Sequence, residues 1–406
     1  MITRRTLLTA GAATLALGAL PARAALASTP VTGDLPSELA PLDALLRAFI
    51  AERDISCAQL AVAKAGRLVL ARGYGSYGPA ETPVQPTSLF RVASLSKQLT
   101  AAAIMRLVQE GRLRLSDSVA DLLGLSLAAD PRLVTVSVRR LLQHLGGWDK
   151  AAAGRDYLFS DRAIAEEFGV PLPIGMEHIL RYATARPLDH DPGARYSYNN
   201  YNYLLLGRII EKVSGQDYET YVKTKVMAPL GVSRPRLTTN AGTGEVPYLS
   251  KYRVTTVLDD SGTVVPYPYG GTNYANSDSA GGWTTSAVDL VRLTRIFDGA
   301  TPVLTPASVA TLLARPVGGP FGSDFWYGGG WGVTPVGGGL KLMHSGSLPG
   351  AFAVLSRSHN GIALCATFNR REESGSPDFD AFHGELFDAA QAIKTWPAGD
   401  LSPQYF

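Results

Sequence analysis

The stretch FRVASLSKQLTAAAIMR, Phe90 to Arg106, decides how this chain is read. Ser94 and Lys97 stand three apart at the head of an apolar run of helical character, and that spacing puts both side chains on one helix face. A serine hydroxyl alone is a weak nucleophile. A lysine held beside it in a partly desolvated site loses its proton near neutral pH and can take up the hydroxyl proton instead. At a helix N-terminus, unpaired N–H groups and the positive dipole end favour the negative charge that develops during acyl transfer. A Ser-x-x-Lys quartet arises about once by chance in a chain of this length. A helix cap beside a solvated charge is its commoner explanation, so the flanking segments must add to it.

Upstream, residues 42–53 have the pattern of an amphipathic helix, and residues 57–73, CAQLAVAKAGRLVLARG, read as a hairpin turning at Ala65-Gly66. Gly73 to Gly78 matches G-x-G-x-x-G, but the following PAETPVQP cannot open a helix, which removes a dinucleotide fingerprint. Residues 1–27 read as an export signal peptide. Arg4-Arg5 precedes an apolar run to Leu20 that is too short to span a bilayer, and small-residue cleavage patterns end at Ala24 and Ala27. The paired arginines point to the twin-arginine route, with the ordinary Sec route as the alternative. Either way the mature protein is expected outside the cytoplasm, periplasmic or secreted, without a stable membrane span.

The leader carries three arginines and no acid, so its removal takes the formal charge of +3 to zero. No nucleic-acid or anionic-membrane partner follows from so balanced a chain. Cys57 and Cys365 lie in strand-like runs and are open to two readings, a disulfide or two buried thiols. Neither their spacing nor that of the six histidines forms a zinc motif, and no metal or organic cofactor is expected.

Downstream, helical patterns run through 136–148, 174–185 and 201–231, the last broken at Ser214-Gly215. Strand patterns return at 339–346, 351–358 and 361–369 as a meander, followed by a helix from about Asp378 to Lys394. The expected fold class is α+β: an antiparallel sheet built from both chain ends and flanked by helices, with an inserted, mostly helical subdomain. The sheet subdomain takes residues 38–115 and 280–396, and the insertion 116–279. The 46% hydrophobic content is ample for a core of this size.

Two further elements supply the chemistry. Tyr198-Asn199-Asn200 follows an Asp191-Pro192-Gly193 turn. A phenol held among cations can titrate down far enough to share a proton with Ser94 and Lys97, and the Asn200 amide can orient a lysine or bind a substrate carbonyl. His344-Ser345-Gly346-Ser347 lies on a predicted edge strand, which can pair with an extended substrate. The Ser347 N–H there can join that of Ser94 in an oxyanion hole. Two decoys are set aside. Tyr274-Ala275-Asn276 lacks a following Leu-Leu-Gly helix, and His144-Leu145-Gly146 precedes the tyrosine and reads as a structural histidine.

The order Ser-x-x-Lys, Tyr-x-Asn, His-x-Gly resembles the serine β-lactamase and penicillin-binding protein superfamily, in the branch of class C β-lactamases, D-alanyl-D-alanine carboxypeptidases and family VIII esterases. The resemblance extends to Leu141-Leu142-Gln143-His144, Ala280-Gly281-Gly282-Trp283 and Gly346-Ser347-Leu348-Pro349-Gly350. It implies that Ser94 is the acylated nucleophile, Lys97 its proton partner and Tyr198 a proton shuttle. Asn200 and His344, Ser345, Gly346 and Ser347 would line the cleft.

The chain departs from that pattern in three ways. His344-Ser345-Gly346 stands where β-lactamases of the branch carry Lys-Thr-Gly; Gly146 replaces a serine; and no glutamate matches the extra base of class A enzymes. A partly neutral histidine attracts a substrate carboxylate less than a lysine does, so penicillin hydrolysis is disfavoured. The absence of G-x-S-x-G argues against an α/β-hydrolase. The expectation is a serine hydrolase acting on a small-molecule or peptide substrate, first a D-alanyl-D-alanine-type peptide and second a short-chain ester or β-lactam. A non-catalytic β-lactam or peptidoglycan sensor is the rival, and oligomeric state is not legible.

Overall fold

The computed structural model describes residues 29–298, 301–375 and 377–406, so the leader expected at 1–27 lies outside the described residues. The principal sheet contains β1 (Val31–Thr32), β2 (Cys57–Lys64), β3 (Arg67–Tyr77), β4 (Trp326–Gly328), β5 (Trp331–Val336), β6 (Gly339–Leu348), β7 (Ala351–Ser358) and β8 (Ile362–Phe368). Their spatial order is β1-β3-β2-β8-β7-β6-β5-β4, antiparallel throughout, with Thr82–Pro83 as a short ninth strand beside β3. Strands from both ends of the chain thus meet where β8 pairs with β2, Cys365 opposite Ala61. The β2–β3 turn forms where expected, Ala65 and Gly66 both adopting positive φ.

Alternation assigns each strand residue to one of two layers. Ala58, Leu60 and Val62 of β2 and Leu364, Ala366 and Phe368 of β8 pack against α1 (Ala40–Glu52) and the C-terminal helix Ala381–Ala392. Ala61 and Ala63 of β2 and Cys365 of β8 face the opposite core around α2 (Ser96–Gln109). In α2 every residue from Ser96 to Met105 is buried, so this helix is central rather than amphipathic. Buried on all sides, it fixes whatever its first turn carries.

The G-x-G-x-x-G segment lies in and just after β3, and its glycines answer to packing. A Cβ on Gly73 would stand 2.1 Å from the Val84 carbonyl oxygen, and one on Gly75 would stand 1.7 Å from that of Ser56. Cys57 and Cys365 are both free and buried. They sit on adjacent strands but out of register, which resolves the open reading in favour of two thiols. Burial pushes the Cys57 thiol up to about 11 and Cys365 further still.

The expected helix over 136–148 is shortened to Val138–Leu142. His144 takes a positive φ and Gly147 another, so the chain turns there instead of continuing. The helix over 201–231 appears as α3 (Asn200–Ser214), broken at left-handed Gly215, then Tyr218–Val222, continued by the wider turn Lys223–Met227 and the tighter turn Ala228–Leu230. Strands β4 and β5 were not legible from the pattern and extend the sheet beyond the expected meander.

One buried ion pair anchors the segment that leads into α2. Arg91 is wholly buried; its Nε donates to Glu245 Oε2 at 3.0 Å, and its Nη1 donates to the Pro268 carbonyl at 2.8 Å. Glu245 also accepts from Thr238, Tyr248 and Thr284. The guanidinium lies 4.2 Å from the Tyr274 ring centroid and 4.3 Å from that of Tyr248. Tyr274, the decoy tyrosine, therefore belongs to this structural cluster.

Candidate active site

Ser94 lies in a short 3-10 turn, Ala93–Leu95, that runs straight into α2 and places Lys97 in the first turn of that helix. Asn199 caps α3, its side chain accepting from the Tyr201 N–H, so Tyr198 and Asn200 straddle the cap. The two helix starts converge. Lys97 Nζ is 3.0 Å from Ser94 Oγ, 2.9 Å from Asn200 Oδ1 and 2.6 Å from the Ala280 carbonyl oxygen. The Tyr198 hydroxyl donates to Ser94 Oγ at 2.8 Å, and Asn200 Nδ2 donates to Asp156 Oδ2 at 2.8 Å.

β6 completes the arrangement. Its pairing with β5 runs from Gly339 opposite Val336 to Met343 opposite Gly332. It is an interior strand over that length, but the edge expected at His344 to Ser347 lies beyond it. From His344 to Leu348 it projects past β5 and pairs with β7 alone. Gly346 permits the approach of this segment to the serine turn, because a Cβ there would stand 2.1 Å from the Val92 carbonyl oxygen. Ser94, Asn200, His344, Ser345 and Ser347 all line one cleft of about 700 Å³. Gly346→Ala is expected to displace β6 from the turn and cost about 1–3 kcal/mol in urea denaturation, with a larger proportional loss of activity than of folded protein.

Burial lowers Lys97 from 10.5 to about 7, against the opposing pull of Asp156. Tyr198 moves the other way. Burial raises its phenol above the ordinary value, outweighing the hydrogen bond to Ser94. The expectation that neighbouring cations would draw the phenol down is therefore corrected: at neutral pH it is a neutral O–H donor. His344 is lowered to about 3, first by burial and then by Lys97. Its Nδ1 faces the Ser345 carbonyl at 2.5 Å and its Nε2 the Tyr327 hydroxyl at 3.0 Å, so this histidine is neutral and internally engaged.

A family model described as Beta-lactamase matches residues 42–386. The chain belongs to the beta-lactamase family. Among solved structures, it is similar to the octameric penicillin-binding protein homologue from Pyrococcus abyssi (TM-score 0.67, 25% identity, 87% of this chain and 77% of that one). The fold is also that of the D-amino acid amidase from Ochrobactrum anthropi SV3 complexed with L-phenylalanine amide (TM-score 0.65, 20% identity, 88% and 98%). Among curated proteins, Protein flp of Staphylococcus aureus (strain COL) is 28% identical over 192 residues, 47% of this chain but 36% of flp. The match thus spans little more than a third of that relative's length.

In this member of the beta-lactamase family, further groups complete the site. Asp156, which belonged to no recognised motif, orients Asn200 from the start of a short 3-10 turn, and the Ala280 carbonyl, from the Ala280-Gly281-Gly282-Trp283 stretch, holds Lys97. Tyr327, Tyr196, Phe159 and Phe325 give the cleft an aromatic wall, with Phe159 and Phe325 exposed at its mouth. His144 sits behind Tyr198, ring centroids 4.4 Å apart, with Nδ1 facing the Asn199 N–H. Gly146 is closely packed: a Cβ would stand 2.8 Å from Asn202 Oδ1 and 3.0 Å from the Trp148 ring, so a serine there would require one of these side chains to shift.

Proposed function

We propose that the chain is an exported serine hydrolase that forms an acyl-enzyme on Ser94 and releases it with water. The convergence of Lys97 Nζ and the Tyr198 hydroxyl on Ser94 Oγ, at 3.0 and 2.8 Å, carries this reading. A neutral lysine amine has two N–H donors and one lone pair. With Asn200 Oδ1 and the Ala280 carbonyl taking the donors, the lone pair is left for the Ser94 proton. Ser94 Oγ bonds to the substrate carbonyl carbon as its proton passes to Lys97, and the N–H groups of Ser94 and Ser347 receive the developing oxyanion. Tyr198 hands its proton to the departing nitrogen or oxygen as that bond breaks and is reprotonated through Lys97. The same relay in reverse activates water for deacylation.

The substrates proposed are small amides and esters whose acyl side is apolar, because the cleft wall is aromatic and His344 supplies no positive charge for a carboxylate. A D-alanyl-D-alanine-type peptide is the second reading. It is favoured by Lys150, which is exposed at the cleft and whose side chain makes no hydrogen bond or ion pair to any described residue.

A fluorophosphonate probe is expected to label the wild type and not Ser94→Ala; equal labelling would remove the assignment. Relative kcat/KM for p-nitrophenyl esters, D-phenylalanine amide, nitrocefin and diacetyl-Lys-D-Ala-D-Ala on one preparation ranks the chemistries. Labelling without turnover of any of them would favour a sensor. Tyr198→Phe is expected to retain labelling while turnover falls about 10²–10⁴-fold, read as accumulation of acyl-enzyme by mass spectrometry.

A further inference from the structure

A second cavity, of about 310 Å³, lies away from the cleft. It is walled by the β2–β3 turn, the β7–β8 turn, the helix Ala287–Leu293, the 3-10 turn Thr294–Asp298 that follows it, and Phe406. About half of its lining is apolar, from Leu68, Val288, Val291 and Ile362 among others. Arg292 and Arg295, three apart, bring two guanidiniums to the same space.

These two arginines differ from the others nearby. Arg357, on the cavity wall, is matched by Asp298, and Arg234 by Asp289. Among the described residues, Arg292 has only the Leu230 carbonyl, which accepts from its Nε at 3.0 Å, and the face of Phe406. Arg295 makes no hydrogen bond or ion pair to any described residue, and its buried Nε has no acceptor. The carboxylate that acts on Arg292 from a distance, Asp400, accepts from the N–H groups of Leu68 and Ser402 through one oxygen, Oδ1, and makes no ion pair with Arg292. Burial and the neighbouring Arg295 both pull Arg292 below its ordinary value. Two partly desolvated cations of like sign are costly without an anion between them, and the planar fork of arginine matches carboxylate and phosphate oxygens.

We propose that this cavity binds a small organic oxyanion, a carboxylate or phosphate monoester on an apolar body, with Arg292 and Arg295 holding the charged end and Val288, Val291 and Ile362 the apolar end. Calorimetric titration of the full chain with 4-phenylbutyrate, phenyl phosphate and the uncharged 4-phenylbutan-1-ol tests it. At least one anion is expected to bind with one-to-one stoichiometry, at least tenfold tighter than the alcohol, and whichever binds tighter identifies the headgroup. Arg295→Gln, alone and with Arg292→Gln, is expected to weaken that binding at least tenfold while the melting temperature is unchanged or higher, since a repulsion is removed. Lys150→Gln, which alters the catalytic cleft, is expected to leave it unchanged. The proposal is overturned by no measurable binding of either anion at 10 mM, by equal affinity for the alcohol, by full binding in a folded Arg295→Gln protein, or by loss of binding in Lys150→Gln.

Discussion

Lys97→Met is expected to be almost inert and yet more stable than the wild type at neutral pH. Loss of the base should lower kcat/KM by about 10³-fold or more, because the one remaining neighbour of the serine hydroxyl, the neutral Tyr198 phenol, is too weak a base to take its proton. The stability gain follows from linkage. The folded chain holds Lys97 at about 7 against an ordinary 10.5. Between those values the unfolded chain carries a proton that the folded one lacks, so wild-type stability rises with pH across that window. The cost of burying the amine is complete below about pH 7. Methionine removes that cost but leaves Asn200 Oδ1 and the Ala280 carbonyl without their donor, which returns about 1 kcal/mol for each. The net gain is expected at roughly 1–4 kcal/mol at pH 6–7, shrinking as pH approaches 10, measured by urea denaturation at several pH values. In the wild type, kcat/KM should rise about tenfold per pH unit below 7 and level off above it. A flat profile through pH 7 would show that Lys97 is not the group that must lose a proton.

Arg91→Met should be the most destabilising single change near the site, at about 3–5 kcal/mol, because it strands Glu245 as a buried charge without its cation. The aromatic faces of Tyr248 and Tyr274 lose their cation as well. Replacing Glu245 by Gln in the same chain should recover part of that loss, since a neutral amide tolerates burial better than an unpaired carboxylate. Thermal and urea melts of the two variants measure both quantities. The variant that recovers stability should also recover activity, because Arg91 lies three residues before Ser94 and fixes its turn.

The sequence made the hairpin, the central helix and the last three strands legible because each carries its own punctuation: Ala65-Gly66, the Ser94 run, and the turns at Gly350 and Gly361. Strands β4 and β5 escaped because a run of three glycines, the last residue of β4 and the two that separate it from β5, reads as a loop. One of those glycines is needed for packing: a Cβ on Gly330 would stand 2.6 Å from the Gln98 N. The site was legible as residue types in order, but its electrostatics were not. Whether cations lower a phenol or burial raises it depends on how much solvent reaches Tyr198, and adjacent letters do not encode that. Asp156 and Tyr327 were invisible for a similar reason, since each reaches the cleft from a segment with no periodic signal.

The pairing of β8 with β2 has a consequence for biogenesis. A ribosome releases the hairpin early, but its open flank finds a partner only after nearly the entire polypeptide has been made. Such a topology ties many distant contacts to a late event and slows folding. A chain stalled before Ile362 would leave the inner edge of β2 with its backbone N–H and carbonyl groups unpaired.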